Sequence, residues 1–356
     1  MGISKRLFGE MSLPGLDIGA HSIKLVQLKR KGNEITVAKL GQMETPYNAF
    51  DGGKITNPEA VAQRIKLLIK KLRIKEKRVF LSLSDQNVIT RSIVMPKMTA
   101  KELKEAMRWE AEKYITLPIQ DAVVDYVKLQ DIQSENKEEM KILLVASARN
   151  VVNSYIEVLE SIKLFPVAID IEAFSLLRVI RHIEGSSMSE GYDDKIFLLL
   201  DLGADSSNLI VIENGQFAFS RNIAIGGNNF TQSIMEREKV SREEAESLKG
   251  TPGFLGLGGV QELVDDLLRE IRRSIDYYLL YKDNNSHKNI DELWVTGGGI
   301  RQNGLLSFLG HDLKLEPKII NLFHKIGLDK RYILSEMNEY VPFINIAGGA
   351  ALRGWY

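Results

Sequence analysis

Two stretches of this chain end an apolar run on an aspartate and follow it, two residues later, with a glycine. Residues 16–28 read LDIGAHSIKLVQL and residues 200–212 read LDLGADSSNLIVI. A single Asp-x-Gly turn between strands is ordinarily only a turn, with glycine supplying the backbone angles of the hairpin. Two copies are different. Laid together without gaps, they share Leu, Asp, Gly, Ala, Ser and a later Leu. Backbone amides in such a hairpin make an anion-binding concavity, and small side chains let a phosphate come close. Ser22 and Ser206 can donate hydroxyl hydrogen bonds to it. Asp17 and Asp201 would repel a phosphate directly, but they suit Mg²⁺ held through water, because magnesium keeps much of its hydration shell.

Two further segments complete the set. ELWVTGGGIRQNGL, residues 292–305, reads as a strand, a triple glycine and a helix start. Gly297, Gly298 and Gly299 would admit a flat base or ribose, and the amides ahead of the helix could meet an α-phosphate. NIAGGAALRGW near the end is a small-residue helix. It is either a tightly packed hinge between lobes or a plain buried helix.

The elements that must position these residues are also duplicated. After the first motif come a turn at Lys31, Gly32 and Asn33 and a strand over 34–42; after the second come Asn214-Gly215 and a strand over 216–222. Each half thus opens with three antiparallel strands, which predicts two similar lobes facing one cleft. A helix over 57–78 is capped by Asn57, starts with Pro58 and turns Val61, Ile65, Leu68, Ile69 and Leu72 inward. A long helix over 261–283 carries the stripe Leu263, Leu267, Ile271, Ile275 and Leu279, and TPGFLGLGG, 251–259, reads as a flexible loop.

Composition narrows the function classes. A chain of 356 residues is too long for one small core. Its formal net charge is zero, so no global field favours nucleic acid or an anionic membrane. With no cysteine, disulfides and thiolate chemistry are excluded, which fits a reducing compartment. The histidines His21, His182, His287, His311 and His324 lack metal-ligand spacing, so no structural metal is expected. No apolar run approaches the roughly 20 residues of a membrane span. The start, MGISKRLFGEMSLPG, lacks the long apolar centre of a signal peptide, and Arg6 stands where myristoylation needs Ser or Thr. ISKRLF remains open between a frayed polar tail and a short amphipathic anchor.

Between the halves, residues 86–165 read as a separate small α/β unit. Thr99 and Glu102 form a capping box. Leu103, Ala106, Met107, Ala111 and Tyr114 share one helical face, with Trp109 off it. A strand over 122–129, a polar turn DIQSENKEE, a strand over 140–147 and a helix from Asn150 follow.

With both Asp-x-Gly hairpins, the triple glycine and the small-residue helix in order, residues 14–356 resemble the actin-like ATPase superfamily. GLDIGAHSIKLVQL, SIVMPKMTAKELKEAMRWEAEKYITLPIQDAVVDY and VAIDIEAFSLLRVI narrow the likeness to the PilM family, cytoplasmic proteins of type IV pilus assembly related to FtsA. The resemblance implies an α/β, two-lobed actin-like fold of duplicated ribonuclease-H-like lobes with an FtsA-like inserted subdomain. The first lobe would comprise 14–85, 166–195 and 338–356, the insert 86–165, and the second lobe 196–337.

It also implies ATP and Mg as ligands. Asp17, Gly19, Ala20, His21, Ser22 and Lys24 would form the first phosphate loop, although small hydroxyl residues are usual where His21 stands. Gly203, Ala204, Ser206 and Ser207 would form the second, Gly226 and Gly227 would support it, and Gly297 to Gly299 would line the nucleoside. Asp17 and Asp201 would hold magnesium through water, because that ion keeps much of its hydration shell. Glu246 and Lys249 stand as ribose and adenine contacts or as a solvated ion pair. Glu172 stands as the orienter of an attacking water or as a capping carboxylate, so ATP turnover would be weak at most.

The implied partner is the N-terminal cytoplasmic peptide of a PilN-like inner-membrane protein, which would tether the chain to that membrane from the cytoplasmic side. Met98, Met107 and Trp109 are candidates for its groove. A filament-forming FtsA-like ATPase is the alternative. A small-molecule kinase is less favoured for want of an acceptor-site base, and a chaperone for want of a long substrate domain.

Overall fold

The apolar run ahead of each Asp-x-Gly becomes a fully buried central strand: β1 (Pro14–Ile18) in the first half and a counterpart, Ile196–Leu202, in the second. The computed structural model describes residues 12–31, 34–134, 137–185, 195–280, 289–328 and 339–355. The amino-terminal segment and the turn expected at Gly32-Asn33 lie outside these residues.

The first half continues with β2 (Ser22–Lys31), β3 (Glu34–Glu44), a short ribbon of β4 (Phe50–Asp51) and β5 (Lys54–Ile55), helix α1 (Pro58–Leu72) and β6 (Arg78–Leu83). Then come β7 (Val88–Pro96), α2 (Ala100–Glu110), β8 (Ala122–Ser134), β9 (Lys137–Ala148), α3 (Arg149–Ser161), β10 (Phe165–Ile171) and α4 (Glu172–Glu184). The second half runs β11 (Ile196–Leu202), β12 (Ser207–Glu213), β13 (Gln216–Ile223), α5 (Gly227–Glu238), α6 (Arg242–Leu248), α7 (Val260–Leu280) and β14 (Glu292–Thr296). It closes with α8 (Leu305–Leu313), β15 (Pro317–Ile319), β16 (Gly327–Leu328) and α9 (Val341–Leu352).

The two large sheets have one topology. The first is ordered β10-β6-β1-β2-β3-β16 and the second β13-β12-β11-β14-β15. Reversing the second superposes β11, β12, β13, β14 and β15 on β1, β2, β3, β6 and β10, with matching antiparallel and parallel pairings. Helices α4 and α9 lie between the sheets, in a core that includes Val26, Leu28, Leu176, Phe197, Ile210 and Ile344. Helices α1 and α3 cover the outer face of the first sheet, and α5 and α7 that of the second.

Small residues let α9 touch both neighbours. A Cβ on Gly15 would lie 2.0 Å from the Ala347 carbonyl oxygen, and one on Gly349 2.0 Å from that of Ser175. Asn345, 1% exposed, donates through Nδ2 to Thr296 Oγ1 (2.8 Å) and the Ile320 carbonyl (3.0 Å). It thereby ties α9 to the strand ends of the second lobe.

Several local expectations change in the tertiary context. The inserted sheet, β7-β9-β8, packs on α2 through Ile93, Leu103, Met107 and Ile142, but α3 does not join that core. Val152, Tyr155 and Leu159 of α3 instead pack with Leu16, Ile65 and Leu81, so this helix lies with the first lobe and not with the insert expected over 86–165. The capping box at Thr99 and Glu102 forms, yet α2 stops at Glu110 and Tyr114 is left exposed. Strands β8 and β9 run into the residues expected as a polar turn. The 251–259 loop contains a 3₁₀ turn whose Phe254 is fully buried against Phe230. The buried face of α7 includes Val264, Leu267, Leu268 and Ile271, whereas Leu263, Ile275 and Leu279 are only partly covered.

Candidate functional site

Both Asp-x-Gly hairpins point into one cavity of about 530 Å³ between the lobes, within the usual range for a small-ligand site. In the first, the Gly19 N–H donates to the Ser22 carbonyl at 3.1 Å; in the second, the Gly203 N–H donates to the Ser206 carbonyl, also at 3.1 Å. Neither glycine has a positive φ. What each needs is space: a Cβ on Gly19 would stand 3.2 Å from the Ser22 carbonyl oxygen, and one on Gly203 2.6 Å from that of Ser206. The glycine is there for close approach, not for the left-handed backbone expected of a turn.

Of the sequence-predicted residues, Asp17, Gly19, Ala20, His21, Ser22 and Lys24 line the cavity on one side. Asp201, Gly203, Ala204, Ser206 and Gly227 line it on the other, with Glu172, Glu246, Lys249 and Gly297 to Gly299 completing the wall. Ser207 does not line it. Its hydroxyl donates to the Ile225 carbonyl at 2.7 Å, because Ser207 occupies the inward strand position that Ile23 holds in the first hairpin. Gly226 is likewise behind the wall, where a Cβ would meet the Ala204 carbonyl oxygen at 2.5 Å. The triple glycine packs on the second hairpin's strand. A Cβ on Gly297 would lie 2.4 Å from Asp201 Oδ1, and one on Gly299 2.6 Å from Leu202 Cβ. It opens a 3₁₀ turn, and the helix expected immediately after it begins only at Leu305.

The carboxylates crowd together. Lys24 Nζ stands 3.1 Å from Asp17 Oδ2, directly across the β1–β2 pairing. Burial raises the Asp17 pKa and the Lys24 charge opposes that rise. Burial, reinforced by the Asp17 charge, pushes Asp201 up to about 7. Asp85, just past β6, accepts the Glu172 and Ala173 N–H groups at 3.1 Å each, capping α4 from another segment. Burial pushes it also up to about 7, against the pull of the Ala173 hydrogen bond. Glu172 receives the Asn208 amide at 2.8 Å from the opposite lobe. Burial, then Asp85 and Asp201, hold its carboxyl well above the usual range. The capping reading of Glu172 is thus partly inverted: Asp85 caps the helix, and Glu172 faces the cavity.

These groups can be tested against Mg²⁺ and a polyphosphate. Ser22 Oγ is buried in the first hairpin without a hydrogen-bond partner, and a phosphate oxygen would supply one. Among the described residues no three acidic or histidine side chains converge as direct metal ligands. Two separated aspartates facing one cavity suit an ion that keeps its waters. The residues fit the group.

Sequence reading missed Asp85, Asn208 and Gln302. Asn208 was within reach: it is seven residues after Asp201, as Lys24 is after Asp17. Asp85, following the apolar strand RVFLSLS, repeats the strand-end pattern of the other two aspartates. Gln302 carried no signal. On the partner side, Trp109 is 74% exposed, Met98 is partly buried and Met107 is a core residue at 3%. Met107 therefore presents no surface to a peptide, because it falls on the inward stripe of α2.

The family model described as type IV pilus assembly protein PilM matches residues 15–355. The chain belongs to the PilM family. A chain of the solved PilM-PilN type IV pilus biogenesis complex is 30% identical to this PilM-family protein, with a TM-score of 0.87 over 98% of this chain and 99% of that one. Ethanolamine utilization protein EutJ from Carboxydothermus hydrogenoformans shares the fold at 14% identity and a TM-score of 0.52, covering 98% of this chain and 93% of that one. The cell division protein FtsA of Bacillus subtilis (strain 168) is 21% identical over 260 residues, 66% of this chain and 56% of FtsA, so this chain spans little more than half of that relative's length. The fold is actin-like, with two lobes of one topology. Among the described residues no helix is long and apolar enough to cross a membrane.

Proposed function

We propose that this PilM-family chain binds Mg-ATP between its lobes and holds the N-terminal cytoplasmic peptide of a PilN-like inner-membrane protein, through which it associates with the membrane. One observation carries the nucleotide half: two hairpins of identical topology face a single cavity in which a buried serine hydroxyl lacks a partner. Gly19 to Ser22 and Gly203 to Ser206 cradle the phosphates from opposite lobes. Asp17 and Asp201 hold the hydrated magnesium, which neutralises phosphate charge when bound. Lys24 adds a cation on the first-lobe side. Burial, then the Asp85 and Asp201 charges, raise the Glu172 pKa and so disfavour the ionised carboxylate that a general base needs, which supports slow ATP turnover.

The cavity mouth supports a lobe-closure role for the nucleotide. Asn228 Nδ2 donates to Asp205 at the second hairpin tip (2.6 Å), and Arg242 donates to Asn228 Oδ1 (2.7 Å). The same guanidinium lies 5.1 Å from the ring centre of Tyr47 in the first lobe. A phosphate at the second hairpin then bears on the contact between lobes, and the partner feels it if it binds the open and closed forms differently.

The partner half draws on likeness to a chain that was solved with PilN. The groove lies between the first lobe and the insert, which the packing of α3 limits to β7 through β9 with α2. Trp109 and Met98 are its candidate contacts. Calorimetry of the full chain with Mg-ATP and with a synthetic PilN-type N-terminal peptide tests both halves. Binding of both ligands is expected, with Trp109→Ala weakening only the peptide. Absence of ATP binding by the wild type, or unchanged binding by Asp201→Ala, removes the nucleotide half. Absence of peptide binding with ATP present removes the other.

A further inference from the structure

We infer that Gln302 reads the base of the bound nucleotide and makes the cleft select adenine over guanine, a role that rests on the nucleotide reading above. The argument begins with what is already spent at the nucleoside end of the cavity. Lys249 Nζ donates to the Gly227 carbonyl (3.2 Å) and Thr231 Oγ1 (2.9 Å), and pairs with Glu246 at 2.8 Å. Those three contacts use its three protons. Glu246 also receives the Thr231 hydroxyl at 2.6 Å. The pair expected to contact ribose and adenine is therefore held internally and forms one side of the wall.

Gln302 is the opposite case. It lines the cavity and is only 6% exposed, yet its Oε1 has no hydrogen-bond partner. Its backbone is fully engaged: the N–H donates to the Gly299 carbonyl (3.1 Å), and its own carbonyl accepts from Leu305 (3.2 Å). The next residue, Asn303, donates to the Lys249 carbonyl (2.9 Å), which pins this turn to the end of α6. A Cβ built on Gly227 would lie 3.6 Å from both Gln302 Nε2 and Lys249 Nζ, so the carboxamide stands beside the filled Lys249 site. A buried polar atom that no neighbour satisfies is a poor structural choice. A ligand in the cavity can satisfy it.

The chemistry of the amide selects among bases. A carboxamide presents one donor and one acceptor side by side. On its Hoogsteen edge adenine offers the complement, the N6 amine donor next to the N7 acceptor, whereas that edge of guanine offers two acceptors, O6 and N7. Inosine shares the guanine pattern there and should be rejected alike.

The test is equilibrium binding of Mg-ATP, Mg-GTP and Mg-ITP to the full chain, in the wild type and in Gln302→Ala and Gln302→Met. The methionine keeps the volume and removes both polar atoms, and a melting curve without nucleotide checks that the fold is retained. The wild type should prefer ATP. Each variant should lose roughly 5- to 150-fold in ATP affinity, the scale of one bidentate base contact, while GTP and ITP affinities hold. An unchanged ATP-to-GTP ratio in Gln302→Met overturns the assignment, as does parallel weakening of all three nucleotides, which is what a purely structural role would give. If the wild type binds none of the three, the nucleotide reading itself falls.

Discussion

In the first hairpin Asp17 faces Lys24 across the strand pair, with the ammonium 3.1 Å from the carboxylate; at the same register in the second, Asp201 faces Asn208. The backbone is repeated and the charge is not. Asn208 spends its amide on Glu172 of the other lobe, so Asp201 is left buried with no cation directly opposite it, and its pKa climbs to about 7. The serines differ in the same sense. Ser206 Oγ already receives the Asn222 amide at 2.8 Å, whereas Ser22 Oγ waits for a partner. The second hairpin thus leaves its carboxylate without the cation that the first supplies, and the first leaves its serine hydroxyl without the partner that the second supplies. A third asymmetry lies one position ahead of the shared Leu-Asp: Gly15 in β1 admits α9, while β11 has Leu199 there.

These differences can be erased one at a time. Gly15→Leu copies the second lobe into the first and should have the largest effect. Its side chain would enter the α9 backbone, so a loss of more than about 4 kcal/mol is expected, read as loss of soluble, cooperatively melting protein. Asp201→Asn removes the uncovered carboxylate. Mg-ATP affinity should fall on the order of 10- to 150-fold, the worth of a charged hydrogen bond, as measured by calorimetry.

The same variant probes the pH dependence. Asp201 titrates near 7 in the fold against 3.8 as a free side chain. Between those values the folded state keeps a proton that the unfolded chain has lost, so its contribution makes the nucleotide-free protein less stable as pH rises through that window. Asp201→Asn should flatten that slope in melting curves and be the more stable protein at pH 8. Cation binding favours the ionised carboxyl, so wild-type Mg-ATP affinity should rise from pH 6 to 8 with proton release, seen as a buffer-dependent binding enthalpy. A pH-independent affinity would count against Asp201 as the cation-side group.

Lys24→Asn makes the first hairpin electrostatically like the second. It leaves Asp17 buried and unpaired, and a loss of roughly 10-fold in ATP affinity is expected in the same titration, about one strong charged contact. The smallest effect belongs to Tyr47→Ala at the mouth. Loss of an exposed cation–π contact should speed release of a fluorescent ATP analogue by about 2- to 5-fold, with stability unchanged.

Much of this arrangement was legible before the fold. The gapless match of two Asp-x-Gly runs gave the duplication, because a strand's pairing register and the tip of its hairpin are local matters. The inward stripe of α1 and the capping box of α2 are local for the same reason. The stripe on α7 holds at Leu267 and Ile271 but is only partly covered at Leu263, Ile275 and Leu279, since only the neighbouring sheet decides how much of a helix face is covered. The assignment of α3 failed on similar grounds: its apolar face is explicit, but what that face meets, Leu16 and Ile65 far away in sequence, is not. Ser207 was misassigned because a hydroxyl looks available until its strand position turns it toward Ile225.

By itself, the sequence determined the two hairpins, their acidic residues and the glycines that close them, since these follow from residue type and short-range backbone geometry. Only the tertiary structure decided which of the acids lack cover, that Asp85 caps a helix it does not belong to, and that Gln302 Oε1 is buried without a hydrogen-bond partner. Proton affinity and hydrogen-bond saturation depend on what lies within a few ångströms, and here that shell is assembled from segments scattered along the chain.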